Sequence, residues 1–196
     1  FFVYYAPGAT HAPHHPTPEW IAKFKGKFSM GWNKLREQIF ANQKRLGIVP
    51  QDAQLTPWPD DLLKKWDDLT ADEKKLFERQ MEVYAGFMEH TDHHVGRLID
   101  ALKDLGILDD TLIYVIIGDN GASAEGSLQG AFNELAPLTG FPQLETAEFL
   151  TDRLDKLGGV EAYNHYAVGW AHAMDTPYQW TKQVASHFGG TRNGTI

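Results

Sequence analysis

Two short stretches of this chain hold the side chains best suited to chemistry. One is Thr10-His11-Ala12-Pro13-His14-His15, which places His11, His14 and His15 close together. Imidazoles titrate near neutral pH, so such a group can move protons or ligate a metal; it can equally be a solvated loop. The other is Gly118-Asp119-Asn120-Gly121. Asp119 and Asn120 offer a carboxylate and an amide oxygen, hard donors suited to Ca²⁺ or Mg²⁺. The same residue types also make an ordinary turn. His90 and His94, four apart on a predicted helix, have a spacing that can hold zinc. Thr91 stands where a helical zinc-protease motif carries glutamate, so a polar helix flank is the preferred reading. Trp170, Tyr178 and Trp180 could line an aromatic pocket, although packing of an irregular segment is the commoner use of such rings.

The elements that would position these groups can be read from spacing. Phe1 to Tyr5 is wholly apolar and aromatic, is followed by Pro7-Gly8, and reads as a buried strand. Ala6 to Pro18 is a loop, and Thr17 with Pro18 opens a short helix. A second helix is predicted from about Gly31 to Leu46, ended by Gly47. The clearest helix runs from Ala71 to Leu105: Thr70 and Glu73 form a capping box, and Gly106 ends it. Phe77, Met81, Tyr84, Met88, Thr91, Val95, Leu98 and Leu102 give it one apolar face. Thr111 to Ile117 is rich in β-branched residues and reads as a central, fully buried strand. Strand, helices, strand is the pattern of a parallel α/β unit, which places both chemical stretches at carboxyl ends of strands, where such sheets bind ligands. A helix is predicted over Glu145 to Leu157. Residues 121–180 otherwise read as an irregular or helical excursion within the same domain.

Composition sets outer limits. The 196 residues are 42% hydrophobic and 22% charged, ordinary for a globular chain with a sizeable core. With 26 acidic against 18 basic residues the formal charge is -8, which disfavours nucleic acid as a partner. There is no cysteine, so disulfides, thiolate zinc sites and a cysteine nucleophile are all excluded. No apolar run approaches the roughly 20 residues that span a bilayer.

In order along the chain, Phe1 to Ala6, Thr10-His11, the long helix with Asp92 and Val95-Gly96, Gly118-Asp119-Asn120-Gly121, and a lysine ahead of Gly189-Gly190-Thr191-Arg192 resemble a known pattern. It is the later part of the catalytic domain of sulfatases, nearest to bacterial arylsulfatases, within the alkaline phosphatase superfamily. The resemblance implies an α/β fold with a mainly parallel sheet flanked by helices, present here as an incomplete piece. It implies hydrolysis of small-molecule sulfate esters with one divalent cation, usually Ca²⁺, and a formylglycine nucleophile made from Cys or Ser. Asp119 and Asn120 match two of the metal ligands. His11 matches the histidine that contacts the sulfate and the leaving oxygen, and Lys182 the lysine that reaches the sulfate. A periplasmic or secreted location would suit such an enzyme.

The family's modification motif is missing here, as are its N-terminal aspartate pair and its Lys-and-His segment. All three are expected upstream of Phe1, so this stretch alone is expected to be inactive. Two alternatives stand beside the sulfatase reading. One is a phosphatase or phosphonate monoester hydrolase of the same superfamily; the other is a non-catalytic relative that binds an anion.

Overall fold

Local signals decide most of the architecture. The computed structural model describes residues 1–196. Its helices are α1 (Pro18–Ala22), α2 (Gly31–Arg45), α3 (Ala71–Asp104), α4 (Leu135–Leu138), α5 (Ala147–Thr151), α6 (Val168–Met174) and α7 (Phe188–Thr191). The capping box at α3 is present: Thr70 Oγ1 accepts from the Glu73 N–H at 3.2 Å, and the Glu73 carboxylate accepts from the Thr70 N–H at 2.8 Å. At the other end Gly106 adopts φ +68°, a left-handed turn that glycine enters without steric cost. No helix is long and apolar enough to cross a membrane.

The apolar face of α3 is used only over its first half. Leu76, Phe77, Met81, Val83 and Ala85 are buried, whereas no residue from Met88 onward is. Helix α1 packs against α3 at Gly86, where a Cβ would sit 2.9 Å from the Ile21 backbone nitrogen. Helix α6 lies on α2. Between these helices Trp32, Trp66, Phe77 and Trp170 form an aromatic core, with the Trp32 ring centred 5.0–5.7 Å from the other three. Trp170 is fully buried, and its Nε1–H donates to the Phe77 carbonyl at 2.9 Å, so its polar atom costs nothing in the core. This is the packing role, not a pocket wall.

The predicted α/β fold is not what forms. The chain is mostly helical, and its one sheet is a two-stranded antiparallel pair, β1 (Ile116–Ile117) with β2 (Gly194–Thr195). Val115 and Ile196 extend it through N–H···O bonds of 2.8 and 2.9 Å. Phe1 to Tyr5 forms no strand and is 50–89% exposed. Ile116 and Ile117 are 68% and 56% exposed, so the central, fully buried strand is also overturned. The physical reason is that a strand must bond to a neighbour, however strong its own β-propensity. Within these 196 residues only the segment after Arg192 pairs with one of the two apolar runs, and it does so antiparallel.

The helix predicted over Glu145 to Leu157 is broken. Thr146 caps α5 and a single 3₁₀ turn, Leu154–Lys156, follows. Glu145 turns inward, accepting from the Phe132 and Asn133 N–H groups at 2.7 and 3.0 Å. The irregular segment is clipped to α3 by Gln80. Its Nε2 donates to the Gln129 carbonyl at 2.7 Å and its Oε1 accepts from the Ala167 N–H at 3.0 Å.

Candidate active site

His11 lies on the loop between Phe1–Tyr5 and α1, and the neighbouring histidines hold that loop in place. His14 is buried, stacked on Tyr166 with ring centres 5.4 Å apart and tilted against Tyr84 at 4.9 Å. Burial, reinforced by His165, His11 and His15, holds its pKa well below the ordinary range, so it is a neutral packing residue. Its burial overturns the solvated-loop alternative for this histidine. His15 Nε2 bonds the Ala162 carbonyl, tying the loop to the irregular segment. With the loop anchored, the exposed His11 stands over Lys182. His11 Nδ1 lies 2.9 Å from the Ala12 carbonyl, which can only accept, so Nδ1 carries the proton. Its Nε2 lone pair is 3.4 Å from Lys182 Nζ, across 171 positions of sequence.

Lys182 is held at both ends by the segment that follows Asp119-Asn120. Its backbone N–H donates to the Ala122 carbonyl at 2.9 Å, and its Nζ pairs with Glu125 Oε2 at 2.9 Å. Glu125 is itself fixed by the Ser123 hydroxyl at 2.7 Å and Gln183 Nε2 at 3.1 Å. Burial works against its ionisation, but the bonds from Lys182 and Ser123 outweigh burial and hold its pKa below the usual carboxylate range. Gly121 is wedged against the Gly189-Gly190 turn. Its N–H donates to the Gly190 carbonyl at 3.2 Å, and a Cβ there would collide with the Gly189 carbonyl. Asp175, after α6, accepts from the Ala122 N–H at 2.7 Å.

A second set of groups adjoins the pair. Backbone pairing of Ala131 with His165 and of Asn133 with Tyr163 brings Glu134 near His165. Ligand atoms of Glu125, Glu134 and His165 lie within 4.8 Å of one another, so this acidic and imidazole group could chelate a metal ion. His165 Nδ1 bonds the Tyr166 carbonyl at 2.9 Å, and burial lowers its pKa to about 4. Glu134 is 3% exposed and its Oε2 has no hydrogen-bond partner. Burial raises its pKa, against the pull of His11 and Lys182.

The sequence-predicted residues thus fall into two sets. His11 and Lys182 meet. Asp119 and Asn120 lie just before the Ala122–Glu125 segment that holds Lys182; Asp119 is exposed, and the Asn120 side-chain amide donates to the Gly121 carbonyl at 2.8 Å. Sequence reasoning missed Glu125, Glu134 and His165. Glu125 could have been found from its place soon after Asp119. Glu134 and His165 lie where the chain has no periodicity to place them.

A loop-borne histidine thus stands over a charge-paired lysine, which the segment following the Asp119-Asn120 turn holds in place. The chain belongs to the sulfatase family, matching it over residues 1–196. It is 35% identical over 195 residues to an uncharacterized sulfatase of Schizosaccharomyces pombe, covering 98% of this chain and 33% of that protein. Against an arylsulfatase of Klebsiella aerogenes it is 32% identical over 193 residues, covering 96% of this chain and 38% of that enzyme. The chain therefore spans about a third of the length of the curated relatives it matches.

Proposed function

We propose that this chain is part of the catalytic domain of an arylsulfatase-type sulfuric ester hydrolase. The observation that carries this reading is the 3.4 Å approach of His11 Nε2 to Lys182 Nζ. It is supported by membership of the sulfatase family over the whole chain. Two groups matched to sulfate contacts come together from opposite ends of the sequence.

Cleavage of a sulfate ester builds negative charge on the bridging and terminal oxygens. The Lys182 ammonium stabilises the terminal oxygens, where a fixed cation in a partly dry site is worth far more than one in water. His11 stands beside it, and in its protonated form its Nε2–H can deliver a proton to the leaving oxygen. Asp119 and Asn120 suit a hard divalent ion, Ca²⁺ or Mg²⁺. The Asp119 carboxylate is exposed and enters no ion pair, so it is available. A Ca²⁺ site takes about six to eight oxygens, so these two are a share of the ligands. When bound, the ion supplies further positive charge for the sulfate. The nucleophile, formylglycine, is assigned to a part of the protein outside these residues.

Paired assays of the full-length protein on an aryl sulfate and the matching aryl phosphate test the reading. A higher kcat/KM on the sulfate is expected. A large preference for the phosphate would overturn it in favour of phosphatase or phosphonate ester chemistry.

A further inference from the structure

We propose that Glu125 is a positioning residue that aims the Lys182 ammonium at the sulfate. The proposal rests on the sulfatase reading of the site and deepens it.

A lysine side chain has a flexible four-carbon stem, so an ammonium needs outside restraint to stay in one place. The main chain of Lys182 is bonded to Ala122, and its Nζ to Glu125. The restraint is itself rigid. Glu125 Oε2 accepts from both Lys182 and Ser123, and Oε1 accepts from Gln183 Nε2 at 3.1 Å. Ser123 Oγ also accepts from the Glu125 backbone N–H at 3.1 Å, closing a tight turn. With both oxygens engaged, the carboxylate has no freedom to rotate.

Donor arithmetic says what this achieves. An ammonium has three N–H donors. One points to Glu125 Oε2 at 2.9 Å, and one faces the His11 Nε2 lone pair at 3.4 Å. The third is left for a ligand, and its direction follows from the other two. Lys182 and Glu125 side chains are 19% and 14% exposed, so the pair is shielded enough to persist while Nζ still reaches the open side. A cleft of about 200 Å³ opens beside it, lined by Ala124, Glu125, Ser127, Pro137, Lys182 and Gln183 among others. A carboxylate repels an anion, so Glu125 is not itself a contact for the sulfate. It acts through Lys182.

A double-mutant cycle in the full-length enzyme tests this, using Glu125→Gln, Lys182→Ala and the two together. The readout is kcat and KM on whichever ester, sulfate or phosphate, the enzyme turns over faster. Glu125→Gln keeps the shape but loses the charge that holds the ammonium. It is expected to lower kcat about tenfold or more without raising KM, since an unrestrained ammonium still attracts the anion but is misplaced for the reaction. In the Lys182→Ala background the same change is expected to cost less than about twofold, because residues acting as a unit are non-additive. Glu125→Asp keeps the charge but withdraws the carboxylate by one methylene, and is also expected to lower kcat several-fold. Additive losses across the cycle, or wild-type kcat in both Glu125 variants, would overturn the proposal. Preference for phosphate would overturn the sulfatase reading alone, because the cycle reports coupling on either ester.

Discussion

Asp175 sits under the turn that follows Asp119-Asn120, and its ionisation should make folding stability fall as pH rises. Its Oδ1 accepts from the Ala122 N–H at 2.7 Å, while its Oδ2 is buried with no partner. Burial pushes its pKa from an ordinary 3.8 up to about 7, with the Ala122 bond pulling weakly the other way. Each pKa unit is worth about 1.4 kcal/mol, so ionising Asp175 in the folded chain costs on the order of 2–4 kcal/mol that the unfolded chain does not incur. Below the ordinary carboxylate pKa both states hold the proton and the group is neutral in its effect. As pH rises from there towards 7, the unfolded state has lost its proton and the folded state keeps it, so stability drops. Above that range the full cost is present. Asp175→Asn keeps an acceptor for Ala122 and cannot ionise. Urea unfolding of wild type and variant, followed by tryptophan fluorescence across this range, isolates the effect, because the other carboxylates cancel in the difference. The variant is expected to match wild type in acid and to exceed it by roughly that 2–4 kcal/mol above neutrality. A variant no more stable than wild type in alkali, or a difference that does not change with pH, would refute the reasoning.

Two further outcomes are expected. If the full-length protein is the proposed sulfatase, Asp119→Ala should nearly abolish its cation binding and turnover, Asn120→Ala should be milder, and Lys182→Ala should lower kcat/KM with the cation retained. Metal content per chain and steady-state kinetics read these, and unchanged affinity in Asp119→Ala would remove the metal assignment. Trp170→Ala should cost about 3–5 kcal/mol of stability, since it empties the centre of the aromatic core and removes the indole hydrogen bond to the Phe77 carbonyl. A shift below about 1 kcal/mol in chemical denaturation would mean that the core reseals around the gap.

Some of this protein was legible from sequence because the interactions are local. The Thr70–Glu73 capping box, the stops at Gly47 and Gly106 and the start of α1 at Pro18 are all as read, since a helix closes its hydrogen bonds within a few residues. The family resemblance assigns His11 and Lys182 to the same sulfate but sets no distance between them. Only the tertiary structure puts them 3.4 Å apart, through the burial of His14, the bond from Lys182 to Ala122 and the wedging of Gly121 at Gly189-Gly190. The sheet was misread for the converse reason. Apolar and β-branched runs such as Phe1 to Tyr5 and Thr111 to Ile117 announce that they could be strands. Whether they become strands depends on a partner elsewhere in the chain, and here only Ile116-Ile117 finds one, at Gly194-Thr195. Glu125, Glu134 and His165 converge by the same kind of long-range contact, and so what surrounds the candidate site was decided by packing and not by spacing along the chain.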